Sequence, residues 1–340
     1  MRAFASIYQA KVYPYGGFSV TRKKETGALV PSVYADCRRV EATSLVPRSN
    51  GKQGYQLGFS TEFRYPSDIG LSSVSNSHKP RKRRGLKGFT SANKHRVKSA
   101  AFLMERKYGR DCLSFLTCTL PSRFVNAGAT VLAELIRTFC QALKRKLKRV
   151  GVGTGVIGVA EIQEKRFKRT GDCAVHWHLV FNGRHKFKAW AISANELREM
   201  WRQCVSNAYG VFVPEAEMSA SIDVQRLKKS AYRYLGKYLS KGCGIIAEVV
   251  LRHGERVIPS SWAVCTHDLK QWVEESTLRL NSASALRLMD AVCFEDSDLC
   301  TYSKHLYHEF FDGGKSWIAL YGELTEAGVT FATALRFGCG

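Results

Sequence analysis

"AVHWHLVF", residues 174–181, is the stretch on which the reading of this chain turns. Successive side chains of a strand point to opposite faces. Val175, Trp177, Leu179 and Phe181 therefore form one apolar face, and His176 and His178 emerge together from the other. Two imidazoles so placed, about 7 Å or less apart, can share a divalent cation when an oxygen ligand joins them. The preceding apolar segment "TGVIGVAEIQE", 154–164, offers Glu161, with Gln163 on the same face, and Glu164 on the alternate one. Paired with the histidine strand as an antiparallel hairpin through the polar turn "KRFKRTGD", 165–172, it puts Glu161 across from the histidines. A carboxylate with two neutral imidazoles suits Mg²⁺ or Mn²⁺ with open positions better than a closed structural zinc site. The choice between Glu161 and Glu164 stays open.

Some fifty residues on stands "AYRYLGKYLSK", 231–241. At helical spacing Tyr234 and Tyr238 share a face, Lys241 lies three residues beyond, and Lys237 is one turn from Tyr234. Two phenols among ammonium groups form an array suited to phosphate chemistry, because a nearby cation can lower a phenol's pKa and offset charge on a transferring phosphoryl group. Taken alone, tyrosines at this spacing also suit the edge of a core.

The rest of the chain fits a basic, folded protein. Its 340 residues are enough for a full core, and 52 Lys and Arg against 29 Asp and Glu give a net charge of +23, which favours a nucleic acid or an anionic surface as partner. No run approaches the roughly 20 apolar residues that span a bilayer, and "MRAFASIYQAKVYPYGG" is interrupted by Lys11 before a signal-peptide core forms. No membrane partner is expected. Eleven cysteines without a CxxC pair read as reduced thiols of a cytoplasmic protein.

Three regions follow from the pattern. Residues 1–88 form an N-terminal extension with strand-like pieces such as "FSVTRK", ending in the basic linker "SSVSNSHKPRKRRGLKG", 72–88. There Lys79, Arg81, Lys82, Arg83 and Arg84 are expected to contact DNA phosphates. Residues 89–244 carry a helix capped by Ser91 and ending near Gly109, the strand "CLSFLTCTL", and a long helix over 127–150. The hairpin follows, then a helix with the capping box Ser193 to Glu196, the strand "SASIDVQRL" and the tyrosine helix from about Lys229. That order predicts an α+β fold, a mostly antiparallel sheet covered by helices. Residues 245–340 hold further mixed elements, with a helix near "THDLKQWVEES".

In combination these motifs resemble the HUH endonucleases, the histidine-hydrophobe-histidine superfamily, and within it the two-tyrosine rolling-circle replication initiators of filamentous and related single-stranded DNA phages. His176-Trp177-His178 resembles the metal motif, "FLTCTLP", 115–121, the first motif, "YLGKYLSK", 234–241, the tyrosine motif, and Glu161 the acid before the histidines. The likeness spans about 112–242; the segment between acid and histidines is longer here than is usual in the family. The resemblance implies a ferredoxin- or RRM-like core and a metal-dependent DNA nickase and strand transferase in a bacterial host's cytoplasm. Tyr234 and Tyr238 would be its nucleophiles, Lys237 and Lys241 their partners, and Thr117 and Thr119 DNA-contacting residues. "GGKSW", 313–317, lacks the earlier glycine of a phosphate-binding loop, so a host helicase and polymerase are the expected partners. A two-tyrosine transposase would share all these residues, and a non-catalytic basic DNA-binding protein is the alternative from another class.

Overall fold

The computed structural model describes residues 4–29, 40–41, 45–47, 53–55, 58–59, 88–185, 189–239, 241, 244–293, 298–310 and 315–337. The N-terminal region supplies β1 (Phe4–Val12), β2 (Gly17–Leu29) and two short pairs, β3 (Val40–Glu41) with β6 (Gly58–Phe59) and β4 (Leu45–Pro47) with β5 (Gln53–Tyr55). Then come α1 (Ser91–Tyr108), β7 (Leu113–Thr119), α2 (Ala129–Arg149), β8 (Val156–Ile162), α3 (Glu164–Thr170) and β9 (Val175–Asn182). They are followed by α4 (Ala194–Tyr209), β10 (Ile222–Arg226), α5 (Ala231–Gly236), α6 (Ile246–His253), β11 (Ala263–Cys265) and α7 (His267–Glu275). The chain continues through β12 (Leu278–Leu280), α8 (Ser282–Cys293), β13 (Cys300–Phe310), β14 (Lys315–Leu324) and α9 (Glu326–Arg336).

The fold is α+β, with two five-stranded antiparallel sheets among the described residues. One has the order β10-β7-β9-β8-β11, which places the histidine strand at its centre. Its apolar face follows the alternation of the sequence: Trp177 is 2% exposed and Leu179 and Phe181 are buried with it. Helices α2 and α4 pack together against that side; Phe139 meets Trp201 edge-on, and Trp201 Nε1 donates to the Thr119 carbonyl at 2.9 Å. Helices α1 and α5 cover the histidine face. Trp177 Nε1 is buried with no hydrogen-bond partner, so the ring's contribution is packing alone. Trp177→Ala is expected to cost about 3–5 kcal/mol in urea unfolding, and Trp177→Phe far less. A Trp177→Ala protein of wild-type stability would mean that this face is not the core.

The second sheet has the order β12-β1-β2-β14-β13, so strands from both ends of the chain share it, with their own apolar cluster of Phe18, Val20, Leu288 and Leu320 under α8 and α9. Its β1–β2 turn touches α1: Tyr13 stacks on His95 at 4.1 Å between centroids, and Tyr15 shares a 2.6 Å hydrogen bond with His95 Nδ1.

Several expectations change in detail. Helix α1 is capped by Thr90, whose side chain accepts from the Asn93 amide, instead of by Ser91, and it does end at Gly109. Helix α4 carries the expected capping box from Ser193 to Glu196. The segment after Gln163 is not a polar turn but α3, stabilised by a Glu164–Lys168 pair one turn apart and closed by Gly171 in the left-handed region. Only Phe167 is buried in it, too few apolar positions to show a helical period. The basic run Lys79, Arg81, Lys82, Arg83 and Arg84 lies outside the described residues. Among the described residues no helix is long and apolar enough to cross a membrane, and the cysteines whose side chains are described are all free.

Candidate metal and tyrosine site

The hairpin register sets the acid opposite the histidines: Glu161 pairs with His176 and Val159 with His178. On the other side of β9, Thr117 pairs with His178 and Thr119 with His176. The Glu161 Oε2 to His178 Nε2 distance is 2.6 Å, and Thr117 Oγ1 lies 3.2 Å from His178 Nδ1. A carboxylate only accepts, so Nε2 carries the proton, and Nδ1 faces the Thr117 hydroxyl. Burial alone would raise the Glu161 pKa, but the His178 hydrogen bond and charge, with Lys241 and His176, bring it below the ordinary carboxylate value. Lys241 Nζ stands 3.5 Å from Glu161 Oε1. Glu161 is thus the ionised carboxylate of the site. Glu164 is exposed at the start of α3 and salt-bridged to Lys168 at 2.6 Å, so it is not the acid beside the histidines.

His176 is held through Nδ1 as well, 3.1 Å from Gln163 Nε2, and the two imidazole centroids are 6.1 Å apart. Burial, then the charge of His178, lowers the His176 pKa to about 4, so the ring is neutral at physiological pH. With Nδ1 engaged on both rings, Nε2 is the ligand atom each can offer, and Thr117 and Gln163 are the outer partners that orient the rings. This donor chemistry, two imidazoles and one carboxylate, fits a borderline-hard divalent ion. Among the described residues, however, no three His, Cys, Asp or Glu side chains are already arranged around a metal position. An ion taken up here would replace the proton between His178 Nε2 and Glu161.

The tyrosine segment forms a shorter helix than its spacing predicts. Helix α5 ends at Gly236, a residue that weakens a helix interior. The chain continues in tighter turns, Tyr238 N to Leu235 O at 3.0 Å and Leu239 N to Gly236 O at 3.2 Å. Both tyrosine rings still reach the site: their centroids are 5.9 Å apart, and Tyr238 stacks on His178 at 3.9 Å. Phe115, on the same face of β7 as Thr117, stacks on His178 at 5.5 Å and meets Tyr234 edge-on at 4.4 Å. Its place on that face follows from alternation in the sequence; its packing role depends on where α5 lies. The ammonium of Lys237 stands 3.7 Å from the Tyr234 centroid and 4.7 Å from that of Tyr238, and Lys241 is 5.1 Å from the latter.

These cations sit over ring faces, which corrects the expectation that they lower a phenol's pKa. Burial, followed by the hydrogen bond and charge of Tyr234 and the charge of Glu161, pushes the Tyr238 hydroxyl well above its ordinary value. Thr117, expected at the DNA, is engaged with His178, and Thr119 is half-buried beside His176.

Helix α5 has no side-chain cap of its own. Glu105 on α1 supplies one, accepting from the Ala231 amide at 2.8 Å and from the Ser230 hydroxyl at 3.0 Å. No local spacing could have disclosed a cap 126 residues away. Glu105→Ala is expected to lower stability by about 1–2 kcal/mol in chemical unfolding; an unchanged midpoint would remove Glu105 from this role.

His95, like His176, is held at about 4, by burial and then by Lys98 and Lys94. The folded values are depressed, so the unfolded chain gains protons first as pH falls below about 6.5. Stability is therefore full above that pH and declines toward about 4, by at most about 3 kcal/mol for each ring, less where solvent still reaches it. Urea unfolding at about pH 7 and about pH 5 should show this loss, and His176→Gln with His95→Gln should remove most of it. An unchanged pH slope in that variant would contradict it.

Comparisons with family models, with curated proteins and with solved structures found no match for this chain.

Proposed function

We propose that this chain is a metal-dependent, site-specific single-strand DNA nickase and ligase of the HUH type that initiates rolling-circle replication. The observation that carries the reading is the Tyr238 ring stacked 3.9 Å from His178, beside Glu161 and beneath Lys237 and Lys241. Two motifs read separately from sequence thus converge on one place, and the sequence resemblance pairs the same two.

His176, His178 and Glu161 would hold a Mg²⁺ or Mn²⁺ ion, which would supply Lewis-acid polarisation of the scissile phosphate. We assign the first attack to Tyr238. Its oxygen bonds to phosphorus, the bond to the 3′ oxygen breaks, and the products are a 5′-phosphotyrosine and a free 3′ hydroxyl. The phenol is held in its protonated form by burial, so the step releases one proton from Tyr238 and the departing 3′ oxygen takes one up. Lys237 and Lys241 offset the charge gathering at phosphorus. Tyr234 makes the second transfer that joins the displaced strand, and each step exchanges one phosphodiester for another, so no nucleotide cofactor is required. Unwinding and synthesis fall to a host helicase and polymerase, in the host cytoplasm.

The test is incubation with single-stranded origin DNA and Mn²⁺. The expected product is a covalent protein–DNA species stable to denaturation and absent with EDTA. Tight binding with no adduct on any single-stranded phage or plasmid origin would overturn the reading.

A further inference from the structure

An open cleft of about 550 Å³ adjoins Glu161 and is walled by Gln163, Lys165, Arg166, Arg169 and Lys241. Most of that wall is α3, the short helix between the acid and the histidines. Its charges are unequally engaged. Lys168 is paired with Glu164, and Arg166 approaches Asp172 at 3.5 Å. Lys165 and Arg169 are exposed and stand on the same cleft as Lys241.

The helix is anchored, not loose. Phe167 is buried and meets His253 of α6 edge-on, and the His253 ring is 2.6 Å from the Gly171 carbonyl oxygen. The Arg252 guanidinium covers Gly171, where a side chain would collide with it. Arg252 is exposed as well, and extends the positive surface past the end of α3. Cations on a rigid element beside a phosphate-transfer site match a run of evenly spaced phosphates better than a single small anion, since a rigid row of charges can follow a backbone.

We propose that α3 is a backbone clamp, in which Lys165 and Arg169 bind phosphates of single-stranded DNA flanking the scissile one. For its ligand the clamp rests on the reading of the site given above.

The experiment compares wild type, Lys165→Gln with Arg169→Gln, and Arg145→Gln with Lys148→Gln. The last pair removes the same charge from exposed positions on α2, across the sheet. Fluorescence anisotropy with a single-stranded oligonucleotide over a salt series should show the slope of log K against log salt reduced by about 1.4 in the α3 variant, about 0.7 for each phosphate no longer neutralised. The α2 variant should keep the wild-type slope. A wild-type slope in the α3 variant, or an equal reduction in both, would overturn the clamp. So would dependence on the α3 pair only for anionic vesicles and not for DNA. Adduct formation with an unchanged α3 slope sinks the clamp alone. A changed slope without any adduct from wild type sinks the nuclease reading and leaves the clamp.

Discussion

Replacing both Tyr234 and Tyr238 by phenylalanine is expected to abolish covalent attachment to single-stranded DNA while the protein stays folded and binds DNA. Phenylalanine keeps the ring that stacks on His178 and the faces over which Lys237 and Lys241 sit, so only the phenolic oxygens, the proposed nucleophiles, are lost. A drop of at least about a thousandfold is the scale for removing a covalent nucleophile. The single variants separate the roles. Tyr238→Phe should block the first attack, and Tyr234→Phe should still form an adduct but fail to release a joined circle. A double variant that retains adduct formation would place the nucleophile elsewhere.

Much of this site is legible in the sequence. The two-residue period of a strand fixes which side chains of residues 175–181 share a face, and a face holding Trp177, Leu179 and Phe181 has to be buried. The hairpin then brings Glu161 into register with His176. Alternation also puts Phe115 and Thr117 on one face of β7, though it does not tell what they touch. Other features depend on packing between distant segments and leave no local mark. Glu105 caps α5 from another helix, and β1 and β2 share a sheet with β12 and β14. Helix α3 is too short and too polar for a periodic signal. Proximity in sequence also misleads in one respect: lysines next to tyrosines need not approach their hydroxyls. Here they lie over the ring faces, while burial raises the Tyr238 pKa.

His176→Ala and His178→Ala are each expected to eliminate cleavage, again by about a thousandfold or more, with salt-dependent DNA binding retained. On the proposed reading, ligation and phosphate binding use different groups, because His176 is neutral, His178 is paired with Glu161, and the cationic surface lies on Lys241 and α3. His178→Ala carries an additional structural cost. It opens a space among Phe115, Tyr238 and Thr117 and leaves Glu161 without its hydrogen bond. His176→Gln offers a check less burdened by such losses, since it keeps a polar group beside Gln163. Equal loss of binding and cleavage across these variants would contradict the separation of roles.

The most direct test of the central claim is to digest the covalent product and identify by mass spectrometry the residue that carries nucleotide. The account predicts a 5′-phosphonucleotide on the Tyr238 oxygen after the first cleavage, with Tyr234 modified only when a second origin is supplied. Nucleotide on any residue other than these two tyrosines would contradict it, as would hydrolysed DNA with no attached protein.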